Sequence, residues 1–148
     1  LFLPQWHATF PDMSLLYVYR PCIECVHSIR KRAADNFVRN QAPGMAFNFF
    51  KTSDIAVRMY LNYSHQALRF MESFTGRMKV VALADLLNNR DIVAEIRKDW
   101  GYRFADVLPF DVYDGKSLTS GGPNEVIHDR ALIDEVRQVE ERFQAMLN

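Results

Sequence analysis

Leu15-Leu16-Tyr17-Val18-Tyr19-Arg20-Pro21-Cys22-Ile23-Glu24-Cys25-Val26-His27-Ser28 is the stretch on which the fold turns. It opens on a continuous apolar and aromatic run of strand length, Leu15 to Tyr19, the pattern of a strand buried on both faces. Arg20 ends the strand, and Pro21 stands where a helix accepts proline, at its first position. From Cys22 to about Asn36 the period becomes helical, with Ile23, Val26, Ile29 and Ala33 on one face and Arg30, Lys31 and Arg32 near the exposed end. The stretch predicts a strand, a tight corner and a helix.

Working outward, Pro11-Asp12 makes the turn that leads into the strand. Pro43-Gly44 breaks the helical pattern, and the Phe47, Phe49, Phe50 cluster follows as a short packed segment. Ser53 and Asp54 are suited to cap a long helix to about Ser73, carrying Ile55, Met59, Tyr63, Ala67, Phe70 and Phe74 at helical intervals, with Gly76 as its end. Met78 to Leu83 is a second strand, centred on Val80-Val81-Ala82. Asp91 to Trp100 reads as an amphipathic helix with Ile92, Val93, Ile96 and Trp100 on one side and Gly101 at its stop. Phe104 to Gly122 is irregular. A last helix from about Asp129 to Leu147 places Leu132, Ile133, Val136, Val139, Phe143 and Met146 on one stripe.

Strands alternating with helices predict a parallel sheet covered by helices, in a single domain spanning residues 1–148. Only two strands are clear, whereas a stable sheet normally has three or more. The opening Leu1-Phe2-Leu3-Pro4 reads as the interior of a domain, so further strands are expected upstream or in a partner.

Composition narrows the function. The 148 residues carry 18 basic and 18 acidic side chains, which leaves no global field to attract nucleic acid or an anionic membrane. Any anion site must be local. The apolar runs are far shorter than the roughly 20 residues a membrane span needs, and no signal core is present. Cys22 and Cys25 make no disulfide framework, which suits a reducing, cytosolic setting.

Arg20 is the residue that invites chemistry. An arginine at the carboxyl end of a buried strand, just before a helix, stands where open α/β sheets bind ligands. The helix start offers free N–H groups and partial positive charge, and the guanidinium offers a forked donor to phosphate or sulfate oxygens. Ser28 follows about two helical turns in, roughly 10 Å along the axis, within joint reach of one anion with the long Arg20 side chain. The plainer alternative is that Arg20 pairs with Glu24 or another carboxylate and Ser28 is an ordinary helix residue.

Strand–Arg–x₇–Ser resembles the 3′-phosphate-binding segment of sulfotransferases that use 3′-phosphoadenosine-5′-phosphosulfate. Upstream, Leu3-Pro4 and Phe10-Pro11-Asp12-Met13 resemble the helix and turn before that strand. Downstream, Tyr60 to Phe70 and then Arg77-Met78-Lys79-Val80-Val81-Ala82-Leu83-Ala84-Asp85-Leu86-Leu87 resemble the family's long helix and its next strand, which ends in a Tyr-Glu-Asp-Leu-like signature. Leu83 and Ala84 stand at the tyrosine and glutamate positions, and Asp85-Leu86-Leu87 is kept. The resemblance implies the C-terminal part of a P-loop-type three-layer α/β domain. It implies Arg20 and Ser28 as ligands of the donor's 3′-phosphate and transfer of a sulfuryl group to a hydroxyl or amine. The acceptor would be a small molecule, carbohydrate or lipid, and no metal is called for. Ser120-Gly121-Gly122 stands where the family has a late glycine loop over the donor, which makes Gly121 and Gly122 further donor-binding candidates; a plain turn is the alternative.

Two features of the family have no counterpart. The 5′-phosphosulfate loop is missing; Gly115-Lys116-Ser117 is no substitute, because a P-loop needs glycine where Phe110 stands. Where many members carry a His-Leu-Pro base, this chain has Phe2-Leu3-Pro4, and phenylalanine accepts no proton. His7 is the nearby candidate base, with packing or plain surface exposure as its alternative. Arg30, Lys31 and Arg32 could serve an anionic acceptor or form a solvated helix end.

Cys22-Ile23-Glu24-Cys25 supports a rival. A Cys-x-x-Cys at a helix start after a buried strand is the arrangement of thioredoxin-like thiol-disulfide oxidoreductases, where the helix start lowers the first thiol's pKa. Val107-Leu108-Pro109-Phe110 and Asp114-Gly115 could imitate that fold's proline strand and hairpin. Small buried apolar side chains are the simpler reading of the cysteines, and a noncatalytic α/β remnant is a third possibility for the whole chain.

Overall fold

The computed structural model describes residues 2–39, 52–87, 91–102 and 127–147. Its elements are helix α1 (Leu3–Thr9), strand β1 (Leu15–Tyr19), helices α2 (Cys22–Val38) and α3 (Ser53–Ser73), strand β2 (Met78–Ala82), and helices α4 (Leu83–Leu87), α5 (Ile92–Trp100) and α6 (Arg130–Met146). The protein is mixed α/β and mostly helical among the described residues. Its sheet there is a parallel pair, β1 beside β2, in the register Leu15↔Met78 through Tyr19↔Ala82.

Alternation along a strand sends successive side chains to opposite faces, and here the two faces differ. Tyr17 and Tyr19 of β1 stack on Phe143 of α6, with ring centroids 5.3 and 5.0 Å apart. Around that stack lies the main core, built from Val26 of α2, Ala56, Val57, Ala67, Leu68 and Met71 of α3, Val80 of β2 and Val139 of α6. On the opposite face Val81 packs with Ile92 and Ile96 of α5. Lys79, on that same face, is buried and held by Glu95 at 2.7 Å and Asp99 at 3.4 Å.

Helix α5 covers β2, whereas Leu16 and Val18 of β1 remain 40% and 41% exposed. The expectation that β1 is buried on both faces therefore fails, while β2, for which no such pattern was read, has Val80 buried on one face and Lys79 and Val81 on the other. A second parallel contact, Val80 with Leu147, closes the far edge of β2.

The helix boundaries follow their caps. Asp91 accepts from the Ala94 N–H at 2.8 Å, and Gly101 at φ 71° ends α5 in the left-handed conformation that glycine adopts without strain. Asp129 caps α6 through the Ala131 N–H at 3.0 Å. Thr52 caps α3, accepting from the Asp54 N–H at 3.2 Å. Ser53 is instead buried and accepts from Arg30 Nη1 at 3.1 Å, tying α2 to the start of α3.

The buried face of α3 is also shifted from the predicted stripe. Ile55 and Tyr63 are exposed, while Ala56, Val57, Tyr60, Leu61, Ser64, Ala67, Leu68, Phe70 and Met71 are inward. Ala67 and Phe70 of the predicted stripe are buried as expected, and Ala56, Val57, Tyr60 and Leu61 take the inward positions in the first turns instead of Ile55. The second strand ends at Ala82, and Leu83–Leu87 turns directly into a helix, so Asp85 and Leu86 lie on a helical turn.

At Gly76 an added Cβ would meet the Phe74 ring at 2.6 Å and the Met13 carbonyl at 3.1 Å. A side chain there would require the Phe74 ring to move aside and would crowd the Met13 carbonyl where the chain passes from α3 into β2. No helix among the described residues is long and apolar enough to cross a membrane.

Candidate functional site

The corner between β1 and α2 brings together Arg20, Cys22, Glu24 and Cys25. Pro21 contributes its carbonyl to the first helical bond, accepting from the Cys25 N–H at 3.1 Å, so the helix starts immediately after it. Arg20 thus stands at the carboxyl end of β1 and at the mouth of α2, where the sequence places it.

Two carboxylates occupy this corner. Glu140, reaching across from α6, accepts from the Cys22 backbone N–H at 2.8 Å. It satisfies one of the donors that a helix start leaves open and lies at the positive end of the helix dipole. The expectation that the first N–H groups are free for an external anion is corrected here: the Cys22 N–H is taken by the chain's own carboxylate. Glu24 accepts from Arg20 Nε at 3.0 Å, one turn into the helix. The predicted alternative partner of Arg20 is thus its actual partner.

The Arg20–Glu24 pair still leaves part of the guanidinium on offer. Nε carries the bond to Glu24, and no described contact engages the two terminal Nη amines. Glu24 and Ser28 are four residues apart on α2 and share a face. The Arg20 guanidinium thus meets α2 at Glu24, one helical turn before Ser28, which is half-buried. Arg30, predicted as exposed, is turned into the α2–α3 contact, whereas Lys31 and Arg32 are exposed. Gly121 and Gly122 lie outside the described residues.

The thiols beside Arg20 are electrostatically passive. Burial pushes the Cys22 thiol up to about 12 from its ordinary 9.0, with the Glu140 and Cys25 charges adding to the rise. Burial likewise pushes Cys25 up to about 11, against the lowering influence of Arg20 and with Glu24 and Glu140 raising it. Cys25 Sγ faces the Arg20 carbonyl at 3.8 Å. Attack on a disulfide needs the thiolate, so both shifts run opposite to what a Cys-x-x-Cys redox pair requires. At the first thiol the Glu140 carboxylate opposes any lowering by the helix start, adding to the rise that burial causes.

His7 is placed elsewhere. Its ring packs edge-on against Phe74 and Phe70, at centroid distances of 5.1 and 6.0 Å, near the end of α3. Phe74 in turn lies beside Gly76 and Met13, where β1 begins. Arg20 follows the other end of β1, about 17 Å of strand away, so His7 and Arg20 do not share a site. His7 lines a groove of about 490 Å³ between α1 and α3 with Pro4, Gln66, Arg69 and Phe70. Its Nδ1 is buried there without a hydrogen-bond partner.

Glu140 is the site residue that no feature of the sequence singles out. Its partner is 118 positions away, and no local motif marks it. Among the described residues no group of three His, Cys, Asp or Glu is arranged to hold a metal ion. Comparison of this chain with protein-family models, with curated proteins and with solved structures finds no match.

Proposed function

We propose that this chain is the 3′-phosphate-gripping part of a sulfotransferase-like α/β domain of the P-loop type, whose parent reaction moves a sulfuryl group from 3′-phosphoadenosine-5′-phosphosulfate to a hydroxyl or amine. The observation that carries the reading is Arg20, placed at the carboxyl end of a parallel strand and bonded through Nε to Glu24, one helical turn before Ser28. A phosphate there receives a forked pair of N–H donors from Arg20 and an O–H from Ser28. The bound anion sits on the face of α2 and not on its axis, because Glu140 holds the Cys22 N–H. The parallel pair β1–β2, joined through α2 and α3, is consistent with the same domain type. His7 lies at the other end of β1 and takes no part in gripping the 3′-phosphate.

The thiol-disulfide reading draws no support from the corner, since burial and Glu140 keep Cys22 protonated.

Titration calorimetry with 3′-phosphoadenosine-5′-phosphate, using adenosine 5′-phosphate as the control that lacks the 3′-phosphate, tests the proposal. The expected result is binding of the first and not of the second. Arg20→Ala should weaken binding by roughly ten- to a hundredfold, the range for a lost charge-assisted hydrogen bond. A folded wild type that binds neither nucleotide, or both equally, refutes it.

A further inference from the structure

We infer that Glu24 is a positioning residue for the anion site, holding the Arg20 guanidinium by Nε so that its two Nη amines face the phosphate; this rests on the reading of Arg20 just given. Arginine carries several rotatable bonds, and fixing such a side chain on binding costs affinity. In this corner the fixing is done beforehand. Glu24 Oε2 lies 3.0 Å from Arg20 Nε, and the Arg20 side chain is 20% exposed. A guanidinium bound by Nε keeps its outer edge as a planar pair of donors, the geometry that matches phosphate oxygens. A carboxylate gripping the two Nη amines in a fork would instead occupy the donors that the ligand needs.

Glu140 makes the role of Glu24 more specific. With the Cys22 N–H satisfied at 2.8 Å, the helix start offers one donor fewer to a ligand. Orientation of the guanidinium therefore carries more of the binding.

A carboxylate beside an anion site also has an opposing effect, since its charge repels the ligand. The two roles predict opposite signs. If Glu24 only neutralises Arg20, removing it strengthens phosphate binding. If it positions Arg20, removing it weakens binding, and a neutral acceptor of the same shape restores it.

The test measures 3′-phosphoadenosine-5′-phosphate affinity for the wild type, Glu24→Gln and Glu24→Ala, with thermal melts to verify folding. In parallel, the Arg20 Nε–H signal is followed by NMR, where a held guanidinium gives a protected resonance. Glu24→Gln keeps an acceptor for Nε–H and is expected to bind at least as tightly as wild type. Glu24→Ala should bind roughly tenfold more weakly than Glu24→Gln, matching one immobilised side chain, and should lose the protected signal. Equal tightening in both variants, or no change in either, overturns the inference. An unprotected Nε–H in the wild type overturns it as well. A protected Nε–H in a wild type that binds no nucleotide refutes the functional reading instead, leaves the ion pair as architecture, and removes the positioning role with it.

Discussion

Raising the pH should unfold this protein earlier than its composition suggests, and the two thiols of the β1–α2 corner should set the slope. Cys22 is buried and its thiol is pushed up to about 12; Cys25 is pushed up to about 11, both from 9.0. Below pH 9 the thiols are protonated in both folded and unfolded chains, and their contribution is constant. Above it the unfolded chain releases protons that the native chain keeps, so stability falls by about 1.4 kcal/mol per pH unit for each thiol until the folded values are reached. At about pH 10.5 the loss is about 2 kcal/mol from Cys22 and less from the partly accessible Cys25, about 3 kcal/mol together. Tyr17 and Tyr19, pushed by burial from 10.0 to about 12, steepen the fall above pH 10.

Against a total stability of about 5–15 kcal/mol this is a large fraction. With a urea dependence of about 2 kcal/mol per molar it moves the urea midpoint down by about 1.5 M. Urea melts followed by circular dichroism between pH 7 and pH 10.5 check the slope, and thiolate absorbance in the native protein checks its origin. The Cys22→Ala, Cys25→Ala double variant should lose the fall between pH 9 and 10 and keep the tyrosine part above it. A midpoint that stays level to pH 10.5, or thiols that react in the native protein at neutral pH as fast as in urea, would refute the reasoning.

Glu140→Gln keeps an acceptor for the Cys22 N–H but removes the charge at the helix start, and should cost about 1 kcal/mol; Glu140→Ala, which leaves that N–H open, should cost about 2 kcal/mol. In both variants the thiolate titration of Cys22 should move down, because a Coulombic contribution from Glu140 is gone, while staying above 9.0 because burial remains its largest cause. The strand register makes a separate prediction. Leu15 donates its N–H to Arg77 at 2.9 Å, and by the parallel pattern Tyr17 and Tyr19 also face β2, whereas the Val18 N–H points to the outer edge. Val18→Pro should therefore cost about 1 kcal/mol and Tyr17→Pro more than about 3 kcal/mol, as thermal melts will read; equal losses would contradict the register.

The elements themselves were legible because their signals are local. Asp91 and Gly101 bracket α5, Asp129 opens α6, and the apolar runs mark β1 and the start of β2 correctly. What the sequence left ambiguous was phase. In α3 the predicted run Ile55, Met59, Tyr63, Ala67, Phe70 and Phe74 competes with an adjacent run of Ala56, Tyr60 and Ser64, and periodicity alone does not rank them. Tertiary packing does: Ala56, Tyr60 and Ser64 are buried and Ile55 and Tyr63 are left outside, while Ala67 and Phe70 of the predicted run are buried as expected. In the same way a run of five apolar residues says that β1 is a strand, but not that α5 lies over β2 and leaves Leu16 and Val18 uncovered.

The anion corner shows the same division between chemistry and position. A helix start beside an arginine attracts carboxylate as readily as phosphate, and the chain holds 18 acidic residues that could answer. Glu24 could be named because it follows Arg20 by four residues, in the first turn of α2. Glu140 could not, since its arrival depends on how α6 sits against the sheet. Val139 and Phe143 are its fully buried residues, and with Phe143 stacked on Tyr17 and Tyr19 the neighbouring position 140 is carried to the level of the Cys22 N–H. The helical period gives the angle of that side chain, whereas its height along the axis depends on how α6 seats, with the Phe143 stack on Tyr17 and Tyr19 and the Val80–Leu147 bridge among its anchors. The choice of carboxylate at the start of α2 is thus made by core packing and not by any local motif.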